Sequence, residues 1–457
     1  MSLTALLFLL AFSTLCGLAF VRHPFYGLLA YMAAFFLHPP SRWWGQGFLL
    51  PIRWSLIASA VTLLAFLIHR EKLAKPAIPF LKHGYVKAYI VFVLWMALQT
   101  GWALDPAAHL DLLNYYVKFG LVVILIYRCV DSEKYLRMFL WAHVLGCFYF
   151  GWIAYSEYTG GRFEDFGGPG LSEANAGAIT IVTGTLAASA LFLWVTWREK
   201  AALFAMIPFI VNGLVTTISR SGFLAVAFGG ILFNLFTPKR FSKRVRLLSG
   251  LAAVMFLMLT GPTYWQRMQS MEALGEKVEG VDTGAGRIDI MKAQMLMSAQ
   301  HPLGCGATCT AVLSKYFLDD SHLTGEGPNR ARASHNTFFT MLVEHGIPGA
   351  AFYAFMVLWI FFSIRKLRAL VRGKEGFLEV ALPALTSMLG AIFITDMFAT
   401  YAKFEVRIWF LALLMAALNI ATAKQRALAR APAAQTTTPA VPASQPAGLV
   451  ARSRKVS

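Results

Sequence analysis

The sequence predicts an all-α polytopic membrane protein of about twelve transmembrane helices, and three observations carry that prediction. Of its 457 residues 57% are hydrophobic and only 14% charged, where a soluble domain averages roughly 45–50% and about 25%. Apolar runs recur along nearly the whole chain, and about 20 such residues cross the hydrocarbon. The runs are continuous rather than alternating, as in 179–195, which is the helical and not the barrel pattern.

The runs fall at 3–21, 24–38, 50–69, 84–103, 112–128, 135–156, 174–197, 201–218, 222–237, 245–261, 335–363, 378–398 and 405–422. Run 3–21 has no basic stretch before it and a second run directly after it, so it reads as part of a span and not as a cleaved leader. Run 24–38 is short and begins at Pro24. The first two runs are therefore read together as one broken span, which makes twelve and puts both chain ends on the same side.

From the third run onward the loops alternate in charge. Arg70, Lys72, Lys75 and Lys82 fill one; Lys239, Arg240, Lys243, Arg244 and Arg246 another; Arg365, Lys366, Arg368, Arg372 and Lys374 a third. This is the positive-inside signature. It assigns 69–83, 128–137, 198–200, 238–246 and 364–377 to the cytoplasm, and 101–111, 156–173, 218–222, 262–334 and 398–405 to the outer side. It also accounts for the net charge of +18. A polynucleotide binder needs one continuous basic face, so the bilayer, not nucleic acid, is the expected partner of these cations.

Four regions follow. Residues 1–261 form an N-terminal transmembrane bundle. Residues 262–334 are the one long interruption, a periplasmic loop region with short amphipathic helices. Residues 335–423 return to the membrane, and 424–457, rich in Ala, Pro and Thr, form a disordered cytoplasmic tail. No internal repeat is visible, which counts against an inverted-repeat transporter. Cys16, Cys129 and Cys147 read as packed thiols. Cys305 and Cys309 lie in the long loop with a spacing that is neither a metal knuckle nor a clear staple, so no bridge is expected there.

The candidate chemistry collects at the outer ends. Arg220 sits in Thr216–Gly222 between two apolar runs, where a cation is costly unless it meets a partner or water. Flanking Ser and Gly would leave room for a bound anion; a snorkelling interfacial arginine is the competing reading. Arg287 follows Gly284-Ala-Gly286 and opens a helix-like stretch, an anion-friendly arrangement. There Ile288, Met291, Met295 and Leu296 recur at helical spacing, as in a helix lying on the bilayer surface. An arginine paired with Asp289 or Asp282 is the alternative.

His335 stands between Ser334 and Asn336 where the loop enters the membrane. A lone histidine is usually structural, but one at this mouth suits general-base work near neutral pH. His301, His322 and His345 are read as structural. The glycine-rich stretch 160–175 adds Arg162 as a third cation beside backbone that substrate could approach closely. Asp396, an acid near the outer end of a span, is a functional candidate or the salt partner of one of these arginines. A Ser219 or Ser221 pairing with His335 lacks any nucleophile elbow. Asp319-Asp320 and Glu164-Asp165 lack further ligands at metal spacing.

Ser219-Arg220-Ser221-Gly222, Arg287 with the downstream His301-Pro-Leu-Gly-Cys-Gly306, and Ser334-His335-Asn336 followed by Glu344-His-Gly-Ile-Pro-Gly349 together resemble the O-antigen ligase and polymerase superfamily. The resemblance covers roughly 160–400 and looks closest to the ligases that finish lipopolysaccharide. It implies the metal-independent branch of the GT-C membrane glycosyltransferases, with no cofactor. It further implies a glycan donor on undecaprenyl diphosphate, a lipid A–core acceptor, two essential arginines and a loop histidine at Arg220, Arg287 and His335, and an assisting acid at Asp396. Arg162, Ser334, Asn336 and Asp396 would contact substrate. The N-terminal part also resembles O-glycosylation ligases, so a polymerase or a protein O-glycosylation ligase using the same donor stays open. A lipid-linked sugar transporter is the alternative of another class.

Overall fold

The structure is a computed structural model that describes residues 2–269, 286–323, 331–401 and 403–430, apart from the side chains at 263, 267, 269, 286 and 287. Its helices are α1 (Leu3–Val21), α2 (Phe25–Leu37), α3 (Trp54–His69), α4 (Gly84–Gln99), α5 (Pro106–Cys129), α6 (Glu133–Glu157), α7 (Ala174–Trp194), α8 (Trp197–Thr216), α9 (Arg220–Phe236), α10 (Ser242–Leu259), α11 (Pro262–Gln269), α12 (Gly286–Gln300), α13 (Cys309–Phe317), α14 (Thr337–Val371), α15 (Phe377–Asp396) and α16 (Glu405–Arg430). The chain is an all-α polytopic membrane protein: 79% helical, with no strand among the described residues.

Eight of these helices, α1, α5, α6, α7, α8, α14, α15 and α16, are long and apolar enough to cross a membrane. Helices α9 and α10 pass that test only together and are bent by 116° at their break. Helices α3 and α4 have 16 residues each, a rise of about 24 Å against a hydrocarbon thickness of ~30 Å. By length and composition alone eight of the described helices qualify, or nine if α9 and α10 are one bent span, and the twelve expected are not established.

The N-terminal pair also differs from expectation. Helices α1 and α2 are a hairpin, not one broken span. Phe8 and Phe12 near the start of α1 pack on Trp44 and Trp54, which follow α2. The carbonyl of Phe20, near the end of α1, lies 2.7 Å from His69 Nε2 at the end of α3. The turn at 22–24 has room to reverse because Pro24 starts α2 without a helical hydrogen bond of its own to give up. The start of α1 and the end of α16 consequently lie at opposite ends of the bundle.

Contacts between loops divide them into two sets, and the division is the one that loop charge predicts. At what we call the basic end, His23 meets Asp131 (3.7 Å), Lys424 meets Glu133 (2.5 Å), Arg240 meets Glu375 and Glu379, and Arg426 donates to the Ala77 carbonyl. At the loop end, Ser41 donates to the Gly167 carbonyl (2.6 Å), Phe163 N–H to the Thr216 carbonyl (2.9 Å), Leu104 N–H to the Cys305 carbonyl (2.8 Å) and Asn336 Nδ2 to the Met397 carbonyl (3.5 Å).

Helices α7, α15 and α16 form the centre and bury most of their surface, as their apolar character all round requires. Small residues set the closest crossings: Gly151 of α6 faces Gly213 of α8, where a Cβ on either would overlap the other helix. Helix α9 runs antiparallel to α15, with Gly229 against Ser387 and Ala391, and Gly390 against Phe228 and Leu232. That register brings the N-terminus of α9 level with the C-terminus of α15 at the loop end.

Candidate active site at the loop end

Two of the helix N-termini at the loop end, those of α9 and α14, are entered by the chain in the same way. Ile218 (φ +45°) precedes Ser219, which caps α9 by accepting from Gly222 N–H at 3.1 Å. His335 (φ +50°) precedes Asn336, which caps α14 by accepting from Phe339 N–H at 3.1 Å. A left-handed backbone costs a β-branched or bulky residue on the order of 1–3 kcal/mol and collects where function requires it. The two caps satisfy one orphan amide each; the others in each first turn leave a positive end that suits an anion.

Arg220 is the first residue of α9 and is half-buried. Its neighbours do not leave the room that the sequence suggested. Ser219, Ser221 and Gly222 are buried, and a Cβ on Gly222 would crowd Ala178 of α7. The small residues let α9 dock on α7, and of 219–222 Arg220 is the one that is only half-buried. Arg162 is built into the same corner. It donates to the Thr217 carbonyl (3.2 Å) and to Asn175 Oδ1 (2.9 Å), and it lies 3.4 Å from Glu164. Asn175 Oδ1 also accepts from Ser219 (2.7 Å). The glycine-rich stretch and the turn before α9 are thus one hydrogen-bonded unit.

On the α14 side, Ser334 Oγ donates to the Asn336 carbonyl (2.8 Å) and accepts from its N–H (3.3 Å), which holds the chain reversal at His335. Thr337 Oγ1 lies 2.9 Å from Asp396 Oδ1 and from the Ala399 carbonyl, and accepts from Tyr401 N–H at 2.9 Å. Asp396 is taken up by three partners: Arg407, Thr337 and Tyr353, whose hydroxyl donates at 2.8 Å. Asp396 is 3% exposed and is tied to the start of α14 through Thr337. Its cationic partner is Arg407, not one of the arginines named from sequence. An arginine in the apolar run 405–422 is itself a functional signal, and the sequence reading passed over it.

Tyr401 joins the two sides. Burial pushes its phenol well above the usual range; the charges of Glu173 and Asp396 add to this, and those of Arg407 and Arg162 oppose it. All four charged groups therefore lie within electrostatic reach of one buried ring.

The long loop is fastened to this end by the glycine motifs. Gly306 N–H donates to the Glu344 carbonyl (2.9 Å), Cys305 N–H to the Val343 carbonyl (3.3 Å) and Ile347 N–H to the Pro302 carbonyl (2.9 Å). Gly304 and Gly346 both have positive φ and approach so closely that a Cβ on either would meet the other's backbone. Gln99 donates to the Glu344 carbonyl (2.7 Å) and lies 2.9 Å from His345 Nδ1, so His345 is structural as expected. Contrary to expectation, Cys305 and Cys309 are bridged by a disulfide. The turn that leads into α13, with Gly306 and Thr308 at positive φ, brings the two sulfurs together, which the bare spacing did not disclose.

Helix α12 packs Ala293 and Met297 against Cys305, Cys309 and Val343, and leaves Ile288, Met291, Met295 and Leu296 exposed. That is the stripe expected of a helix on the bilayer surface. Arg287 lies in its first turn, and its side chain is outside the described residues, as is Asp282. Asp289 pairs with Lys292 and His322, each at 3.6 Å. Among the described residues no three His, Cys, Asp or Glu side chains are grouped to hold a metal.

Residues 205–354 match the family described as O-antigen ligase. The matched region runs from α8 through the N-terminal part of α14, and so contains Arg220, Arg287, Ser334, His335 and Asn336. The match supports the O-antigen ligase superfamily for this chain. A comparison with curated proteins finds no match.

Proposed function

We propose, on the premise that residues 205–354 are an O-antigen ligase region, that this chain is a GT-C-type glycosyltransferase of the bacterial inner membrane. It transfers a glycan from undecaprenyl diphosphate to a sugar hydroxyl of lipid A–core, with inversion. The loop end faces the periplasm and the basic end and C-terminal tail face the cytoplasm, as the distribution of Lys and Arg requires.

The observation that supports the reading is that the turns carrying Arg220 and His335, which enter α9 and α14, lie at the same end of the bundle, with Arg162 hydrogen-bonded to the turn before α9. The bond that breaks joins the anomeric carbon to a phosphate oxygen, and negative charge grows on the departing diphosphate. Arg220 and Arg287 stabilise it, since guanidinium stays charged and binds phosphate oxygens bidentately. His335 takes the proton from the acceptor hydroxyl, whose oxygen attacks the anomeric carbon from the face opposite the diphosphate. Arg162, Ser334 and Asn336 hold substrate groups near these three, and Asp396 keeps the α14 end in place through Thr337.

The test is transfer in nanodiscs, using purified chain, a defined undecaprenyl-diphosphate glycan and lipid A–core, with EDTA present. Product should form with inverted anomeric configuration, and His335→Ala should reduce it by about a hundredfold or more, the size of one lost catalytic contact of this kind. Product from the donor alone, without lipid A–core, would point instead to polymerisation. Wild-type turnover by His335→Ala would end the assignment.

A further inference from the structure

Tyr401 presents a problem that the proposed reaction does not yet use. It lies in the turn between α15 and α16, is 5% exposed, and its hydroxyl has no hydrogen-bond partner among the described residues. Its backbone is held by Thr337 and its ring packs on Phe404 at 5.1 Å. A buried hydroxyl without a partner is destabilising relative to a hydrogen in its place. Phenylalanine would fill the same space and pack the same ring. The hydroxyl is thus a cost that the resting protein bears with no structural return.

The surroundings indicate what would satisfy it. The backbone contact of Tyr401 to Thr337 places the ring beside the N-terminus of α14, two residues after His335, and the charges of Glu173, Asp396, Arg407 and Arg162 reach it. Asp396 and Arg407 are committed to each other, and Arg162 is committed through three contacts to Thr217, Asn175 and Glu164. The phenol stays protonated in this setting and is a donor in search of an acceptor. An acceptor arriving at this helix N-terminus, within reach of the Arg162 charge, would be anionic.

We propose that Tyr401 is a substrate-contacting residue whose hydroxyl donates to a phosphate oxygen of the lipid-linked diphosphate. This rests on the function proposed above and extends it to a residue outside the matched region. Docking of the diphosphate supplies the missing acceptor. Binding and the relief of the orphan hydroxyl are then the same event, so affinity for the donor is raised at a position where the empty site is destabilised.

The experiment compares Tyr401→Phe with the wild-type chain in nanodiscs, using undecaprenyl diphosphate as the binding probe and the defined glycan donor for kinetics. The variant should melt at the same temperature as wild type or higher. Its stabilisation by undecaprenyl diphosphate should shrink, and kcat/KM for the donor should fall by about ten- to a hundredfold, as for a lost hydrogen bond to a charged group. The KM for lipid A–core should stay unchanged. Wild-type kcat/KM in Tyr401→Phe would overturn the proposal, and so would a lowered melting temperature, which would mean that the hydroxyl serves the fold. Arg220→Ala separates the two levels of inference. If it abolishes transfer while Tyr401→Phe does not, only the role of Tyr401 is lost; if it transfers normally, the diphosphate reading itself fails.

Discussion

Removing Asp396 should unfold the site rather than silence it, and the size of the effect follows from its partners. The side chains of Asp396 and Arg407 are 4% and 7% exposed. Asp396→Ala leaves the guanidinium buried without its counter-ion, and strips Tyr353 and Thr337 of an acceptor. Breaking a buried pair from one side costs about 3–5 kcal/mol, whereas replacing both members by apolar residues of similar volume is near neutral. The single variant should therefore lose about 3–5 kcal/mol, and Asp396→Leu combined with Arg407→Met should recover most of it. Unfolding in mixed micelles with increasing SDS reads the stability, and donor transfer is measured on the folded fraction. Arg220→Ala is the contrast: stability close to wild type, with transfer reduced about a hundredfold. The reasoning is refuted if Asp396→Ala unfolds at the wild-type midpoint, or if the double variant is no more stable than the single.

Three further outcomes are expected. His335→Gly should stay within about 1 kcal/mol of wild-type stability, because glycine adopts φ +50° without strain, yet it should lose transfer; an active His335→Gly would remove the base. Gly346→Ala should lose more than about 2 kcal/mol, since φ 68°, ψ −164° is open essentially to glycine alone and a Cβ would overlap the Leu303–Gly304 backbone; thermal unfolding in nanodiscs checks it. Cys305→Ser, or reduction of the Cys305–Cys309 bridge, should cost only about 2 kcal/mol, because the loop it closes is short; a loss of folding on reduction would contradict this.

Charge and hydropathy made most of the fold legible. Runs of apolar residues have one stable answer in lipid, a helix whose backbone satisfies itself, so the helices appear where the runs do. The loops sort into two ends as Lys and Arg predicted. Run lengths were less informative. The break at Arg22-His23-Pro24 reads equally as a kink or a reversal, and only the packing of Phe8 and Phe12 on Trp44 and Trp54 decides for reversal. A polar motif that interrupts an apolar run, as at Arg220 and His335, marks a candidate in the sequence. What the neighbours do with the same group does not show there: Ser219 and Gly222 are buried where α9 packs on α7, and Asp396 is paired with Arg407.

By itself the sequence determined that this chain lies in a membrane, which of its loops share an end, and that arginines and a histidine gather at the end bearing the long loop. These follow from local composition, because the bilayer sorts apolar and charged residues without reference to the rest of the chain. Tertiary structure decided the N-terminal hairpin, the Cys305–Cys309 bridge, the clasp of Gly304 on Gly346, the Asp396–Arg407 pair and the unpaired hydroxyl of Tyr401. Each depends on which groups the folded backbone brings together, as where the turn at 305–309 joins two cysteines four residues apart or packing sets Gly304 on Gly346, and local composition does not fix that.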